Sequence, residues 1–372
     1  MLNYNPENER IKRQYFAYLR EAKGYSEPTV DGVAAALARF EADTKWRAFK
    51  RFHYNQAIAF KRRLADQQSQ KTGEKLSKAT MHATLAHVRS FFHWLAGQPG
   101  YKSRLQYSDA DYFKLSDKDA RVANARYERR VPTLEQIRHV VGMMPATTAI
   151  ERRDRALLAF AILTGARDSA IASFKLKHVD LASGNVFQDG RDVKTKFSKT
   201  FTTWFFPVGD DMQTIFEEWV AYLRTEQLWG ENDPLFPATR VERTDSERFE
   251  VVGLERAHWS NATPIRSVFR KAFEAAGLPY FNPHSFRKTL ALLGEKRCTS
   301  PEHFKAWSQN LGHEQVLTTF NAYGQVATSR QAEIIRSFRS SENPDHVSPS
   351  ILRIARQIES ALRAEEAAKR PG

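Results

Sequence analysis

The sequence is poor in several features that would each define a class of protein. It has one cysteine, Cys298, in 372 residues, which excludes an internal disulfide and a cysteine-built zinc site and makes a reducing, cytoplasmic location the expected one. No apolar run approaches the roughly 18 to 20 residues of a membrane-spanning helix, and the longest, Ala156 to Leu163, is well under half of that. Met1 to Arg13 is polar and charged, so no secretory signal is expected. There is no internal repeat, Walker-type phosphate loop, paired carboxylate cluster or zinc motif, so neither a metal nor a cofactor is expected, and no small-molecule substrate. His82, His87 and His93 share one helical segment but miss the i,i+4 spacing of a metal pair, and read as helix-surface or DNA-facing residues.

What is present describes a basic, folded protein. Hydrophobic residues make up 41% of the chain and aromatics 12%, enough for two or three domains each to bury a core. The net charge is +14, and it is uneven. Residues 1–130 hold 25 Lys and Arg against 14 Asp and Glu, a net of +11 that leaves +3 for the remainder. The excess is densest from Arg51 to Gly100 and includes Lys61, Arg62, Arg63, Lys75, Lys78 and Arg89. A surface that tracks the phosphates of double-stranded DNA fits this pattern better than a merely solvated helix face.

Hydrophobic periodicity predicts four amphipathic helices in the N-terminal third: Asn8 to Ala22, Ser26 to Phe40, Tyr54 to Gln67 and Ser77 to Leu95. The period is lost from Gly97 onward, so residues 1–98 are expected to form a helical domain and 99–130 an interdomain linker. With helices starting so early, no separate DNA-binding domain is expected before them. A second domain is expected over 131–340, opened by a helix with Thr133 and Gln136 at capping-box spacing. Glu151 to Thr164 is apolar on most sides, as at the centre of a domain. Three β-type runs follow, Phe174 to Leu181, Asn185 to Lys196 and Phe201 to Val208, and then helices at Asp211 to Trp229 and Pro264 to Ala276. The tail, 341–372, carries an amphipathic helix from Ser348. The fold class is therefore mainly α with a small antiparallel β-sheet, an α+β domain behind a helical N-terminal domain.

Four separated elements carry the chemistry. Thr164-Gly165-Ala166-Arg167 ends the buried helix and opens a new one, setting an arginine at a helix N-terminus where anions are favoured. His284 and Arg287 are three apart at the start of another helix and so share a face. Leu311-Gly312-His313 is a tight turn, and Tyr323 follows ten residues later. In this order, Arg, His-x-x-Arg, Gly-His and Tyr, the set resembles the tyrosine recombinase (phage integrase) family of site-specific DNA recombinases, over nearly the whole chain.

The resemblance implies that residues 1–98 are a core-binding domain and 131–340 the catalytic domain, that Tyr323 is the nucleophile, that Arg167 and Arg287 clamp the scissile phosphate, and that His284 and His313 hydrogen-bond it and assist proton transfer. It also implies a lysine on a β-hairpin loop as general acid. Lys196 is taken first, with Lys194 and Lys199 as alternatives. Strand exchange through a 3′-phosphotyrosyl intermediate, without metal or ATP, and a homotetramer on two DNA sites follow from the same likeness. The segment from Ser348 would then dock on a neighbouring subunit, or else fold back on its own domain. Ala170 stands where the family commonly has an acidic residue, with Asp168 the nearest carboxylate, and the interval from His313 to Tyr323 is one residue longer than the commonest. The competing classes are a type IB topoisomerase-like enzyme, a catalytically inactive DNA-binding protein and a basic protein unrelated to DNA.

Physical chemistry asks for these residue types independently. A phosphodiester repels nucleophiles, and its pentacoordinate transition state carries added negative charge, so cationic donors must converge on it. Arginine's planar fork suits phosphate oxygens bidentately. A tyrosine ester conserves the bond energy for rejoining, and an alkoxide leaving group needs a proton.

Overall fold

The computed structural model describes residues 4–68, 73–116, 121, 130–243 and 249–313. The chain divides into two compact units, Met1–Tyr127 and Glu128–Gly372. No helix among the described residues is long and apolar enough to cross a membrane.

The N-terminal unit is helical: α1 (Pro6–Ala17), α2 (Glu27–Asp43), α3 (Tyr54–Asp66), α4 (Lys78–Ala96) and a short α5 (Tyr107–Asp111). Each of the first four starts near its predicted position, and polar side chains satisfy the orphan amides at several starts: Asn5 at α1, His53 with Gln56 at α3 and Ser77 at α4. The inward faces close over an aromatic core in which Phe40 meets Phe60, Phe92 and Phe113 edge to face at 5.2–5.6 Å. One expectation needs correction. The start of the 99–130 stretch is not linker, because Tyr101, Leu105, Ala110 and Phe113 are buried in this same core. Its polar appearance comes from α5, a single turn with a Gln106–Asp109 capping box that is too short to show a period.

In the C-terminal unit, α6 (Leu134–Met143) begins with the Thr133–Gln136 capping box, and α7 (Ala149–Thr164) is buried on all sides from Ala156 to Thr164. The other helices are the single-turn α8 (Asp168–Ile171), α9 (Asp210–Ala221), α10 (Thr263–Ala275), α11 (Pro283–Arg297) and α12 (Pro301–Asn310), of which α9 and α11 pack on α7. The expected sheet is antiparallel and three-stranded, in the order β1 (Val179–Asp180), β2 (Asn185–Gln188), β3 (Phe201–Trp204). Its strands are shorter than the β-type runs, because Phe174, Leu176, Val193, Phe206 and Val208 are buried by turns and loops rather than by ladder pairing.

A second sheet was not foreseen. Strands β4 (Pro237–Arg243) and β5 (Phe249–His258) form an antiparallel ribbon, irregular between Arg240 and Val241, with Val241, Phe249, Val251 and Val252 exposed. Its base is tied to α7 by Arg153, which donates to the Pro237 carbonyl and to Thr239 Oγ1, both at 3.0 Å, and lies over the Trp259 ring.

Candidate active site

The site grows from the end of α7. Gly165 has φ +57, and a Cβ there would come within 2.9 Å of Leu290 Cδ1 and of Leu311 Cδ2, so the turn that α11 and the 311–313 segment press upon favours glycine. Arg167 follows in extended conformation and caps α8. That helix is four residues long, so its dipole is weak and the guanidinium itself supplies the positive field. Among the described residues the Arg167 side chain makes no hydrogen bond or ion pair, and burial lowers its pKa. A half-buried arginine without a carboxylate is poised for an external anion.

Arg287 is a strut. It is 5% exposed, donates through Nη1 to the Gly165 carbonyl, and donates through Nη2 to the Leu311 carbonyl at 2.6 Å. One side chain thus joins the arginine turn to the Leu311-Gly312-His313 turn. Burial, and secondly Arg167, lower its pKa to about 9, which leaves it charged at neutral pH. Its Nη2 also lies 3.2 Å from His313 Nε2. A guanidinium only donates, so Nε2 accepts and the His313 proton resides on Nδ1. Burial first, then Arg287, Arg167, His284 and Lys199, push the His313 pKa down to about 4. His284 is lowered by crowding of protein around it and by Arg287, Lys288 and Arg167, with Asp168 opposing. Both rings are neutral at pH 7 and able to donate one proton to an oxygen.

The turn that carries His313 is seated on β3. Gly312 has φ +68 and faces the Phe201 ring, where a Cβ would be 2.5 Å from Cζ. Asn310 completes the open edge of the strand: it accepts from the Trp204 amide and donates to the Trp204 carbonyl, both at 2.8 Å. Strand β3 also ends the loop that carries the three lysines. In that loop Phe197 and Ser198 both have positive φ. Lys196 is exposed with Nζ 4.8 Å from the centre of the Phe197 ring, whereas the charge of Lys199 reaches His313.

A cavity of about 490 Å³ opens beside Arg167, lined also by Asp168, Arg266, Tyr280, Asn282, Pro283 and His284. Ala170 is buried, and Asp168 binds Arg266 at 2.7 Å. No single sequence feature marks Arg266, Tyr280 or Asn310 as part of this region, because their partners lie far away in the chain. Among the described residues no group of three or more His, Cys, Asp or Glu could hold a metal ion.

The structure therefore gathers Arg167, His284, Arg287 and His313 at one place, with the lysine loop beside them. Tyr323 lies outside the described residues, as do the segment from Ser348 and most of 117–129. In the N-terminal unit, Lys61, Arg62 and Arg63 lie on α3, and Lys78 and Arg89 on α4, with Lys75 just before it. Arg63 is held by Asp43, Lys75 by Asp66 and Arg89 by Asp111, and Lys61 donates to the Lys114 carbonyl. Arg62 is exposed and without such a partner among the described residues.

A helical catalytic unit that converges two arginines and two neutral histidines beside a lysine loop defines a phosphodiester-handling enzyme. The phage integrase family pattern matches residues 132–330. Tyrosine recombinase XerC of Lactobacillus leichmannii is 22% identical over 312 residues, covering 83% of this chain and 92% of that protein. The putative integrase/recombinase y4rF of Sinorhizobium fredii is 24% identical over 331 residues, covering 86% and 67%. In fold the chain is similar to XerH site-specific recombinase bound to palindromic difH substrate, with TM-score 0.59, 17% identity and coverage of 88% and 85%. It is likewise similar to a lambda integrase dimer bound to a COC' core site, with TM-score 0.58, 14% identity and coverage of 86% and 99%. The chain belongs to the phage integrase family and is a site-specific DNA recombinase.

Proposed function

We propose that this enzyme exchanges DNA strands through a 3′-phosphotyrosyl intermediate formed on Tyr323. The hydroxyl of Tyr323 attacks the scissile phosphorus and passes its proton to the neutral His284 ring, the new Oη–P bond forms as the P–O5′ bond breaks, and the ammonium of Lys196 transfers a proton to the departing 5′-oxygen. The reverse attack by a 5′-hydroxyl of another strand restores the diester without ATP or metal. Arg167 offers the open fork to the phosphate. Arg287 adds charge from beneath and fixes both turns, and His284 and His313 donate to the non-bridging oxygens. Lys199, close to His313, is the alternative proton donor. Residues 131–340 serve as the catalytic domain, and the basic N-terminal unit grips duplex phosphates through α3 and α4.

A homotetramer on two sites, acting in the cytoplasm, completes the reading. It is supported by the fold likeness to a lambda integrase tetramer bound to a Holliday junction, at TM-score 0.54 and 15% identity over 83% of this chain and 77% of that one. The observation that carries the mechanism is the guanidinium of Arg167, without a partner among the described residues, beside the strut of Arg287. The experiment is covalent trapping of cellular DNA on the full-length protein, sequencing of the captured site, and a nicked duplex of that sequence as suicide substrate. The wild type is expected to yield a protein–DNA adduct and Tyr323→Phe none; an adduct that survives Tyr323→Phe would overturn the assignment of the nucleophile.

A further inference from the structure

The lysine loop is gripped by the element that carries Arg167. Both polar groups of the Lys194 backbone are taken by serines just beyond that arginine. The Lys194 amide donates to Ser173 Oγ at 2.8 Å, and the Lys194 carbonyl accepts from Ser169 Oγ at 3.2 Å. Ser173 is 7% exposed, and its own proton points at the Ala170 and Ser169 carbonyls, 2.9 and 3.2 Å away, so its lone pair is left for the Lys194 amide. The tip beyond this anchor closes mainly on itself: Thr195 Oγ1 donates to the Lys199 carbonyl at 2.7 Å, and the Ser198 amide to the Thr195 carbonyl at 3.2 Å. Farther back, Asp192 pairs with Lys175 and Lys177, but those are surface ion pairs that salt and water weaken. The serine contact lies two residues from Lys196, about 7 Å of chain.

We infer that Ser173, assisted by Ser169, is a positioning residue that ties the reach of the proton-donating lysine to the location of Arg167. The two serines touch neither phosphate nor leaving group. They fix the origin of the loop tip relative to the arginine that holds the phosphate, so that donor and clamp keep one register when the tip turns towards the DNA. Ser173→Ala leaves the Lys194 amide without its acceptor and frees the tip, which harms the proton transfer to O5′ and spares the attack by tyrosine.

This inference rests on the phosphotyrosyl mechanism above, and the test separates the two. The probe is a duplex bearing the site recovered by covalent trapping, made with either oxygen or sulfur at the bridging 5′ position of the scissile bond. A thiolate departs without a proton, so cleavage of the sulfur substrate bypasses the lysine. Ser173→Ala is expected to slow adduct formation on the oxygen substrate roughly tenfold and to leave the sulfur substrate at the wild-type rate. Ser173→Thr, which keeps the hydroxyl, should recover the oxygen rate. Ser169→Ala should show a weaker form of the same selectivity, and its half-exposed position keeps the fold out of question. Equal slowing on both substrates, or no slowing on either by both alanine variants, overturns the inference. A wild type that forms no adduct with either duplex overturns the phosphotyrosyl reading itself.

Discussion

Replacing Gly312 with alanine probes the seating of His313. Gly312 has φ +68, and a Cβ would lie 2.5 Å from Cζ and 2.7 Å from Cε2 of Phe201. Alanine in the left-handed region costs about 1–2 kcal/mol, and displacing the ring adds overpacking strain of about 1–3 kcal/mol. Gly312→Ala should therefore destabilise the C-terminal unit by roughly 2–5 kcal/mol. Phe201 is only partly buried, so Phe201→Ala costs less than the about 3–5 kcal/mol of a fully buried phenylalanine. In that background the new methyl meets no ring, and only the backbone share of about 1–2 kcal/mol remains. The two substitutions are thus coupled by about 1–3 kcal/mol. At about 2–4 °C per kcal/mol for a unit of this size, the clash appears as several degrees in the thermal midpoint of the full-length variants, followed by circular dichroism. If Gly312→Ala lowers the midpoint equally with and without the Phe201 ring, the close approach is not what demands glycine and the reasoning fails.

Further expectations concern charge and protonation. His313 sits at about 4 in the folded chain, below the roughly 6.5 of an unfolded histidine. As pH falls, the unfolded chain takes up this proton first, so stability is unaffected above about 6.5 and is lost progressively towards 4. Urea midpoints measured across that window should slope less for His313→Asn than for the wild type, and identical slopes would count against the assignment. Arg287→Lys cannot satisfy the Gly165 and Leu311 carbonyls together; it should cost about 1–3 kcal/mol of stability and slow adduct formation roughly 10²- to 10³-fold. A near-wild-type rate on the suicide substrate would contradict the strut. Finally, Arg62→Ala should reduce the slope of log Kd against log salt for duplex DNA by about 1, whereas Arg63→Ala, whose guanidinium is held by Asp43, should change it less. Anisotropy titrations that give the same slope for all three proteins would remove α3 from the phosphate contacts.

How much of this was legible beforehand differs between elements for physical reasons. The long helices could be read because one face of each is buried and the apolar period repeats over several turns; α7 could be read because it is apolar all round. The segment from Tyr101 to Phe113 could not, since a one-turn helix offers no repeat and its aromatic anchors stand among charges. The β4–β5 ribbon escaped for the opposite reason: both faces of its outer part meet solvent, so apolar and charged residues there follow no core. Among the site residues, Arg167, His284, Arg287 and His313 were recognisable as an ordered set and do converge. The roles of Gly165, Gly312, Asn310 and Ser173 were hidden, because each depends on an approach between segments tens to more than a hundred residues apart. The Asp168–Arg266 pair was hidden in the same way, although the lack of a carboxylate at Ala170 had drawn attention to Asp168.

Burial first, and then the electrostatics of the cluster, explain why its histidines are neutral. Arg167, Arg287 and Lys288 act on His284, and Arg287, Arg167 and Lys199 act on His313, with Asp168 the opposing charge at His284. Without DNA these like charges repel one another, and the fold must hold them together. It does so through the two carbonyls that accept from Arg287 and through the apolar contacts of Leu290 and Leu311 about Gly165. A bound phosphodiester brings one negative charge, and the pentacoordinate transition state brings more. Surplus positive charge therefore stabilises the transition state more than the bound substrate, which is the condition for raising the rate rather than only the affinity. Burial first, and the neighbouring cations second, keep the second proton off His284 and His313, and the negative charge that develops on the phosphate offsets both effects, so protonation of either ring becomes easier at the step where hydrogen bonds to the phosphate oxygens lower the barrier.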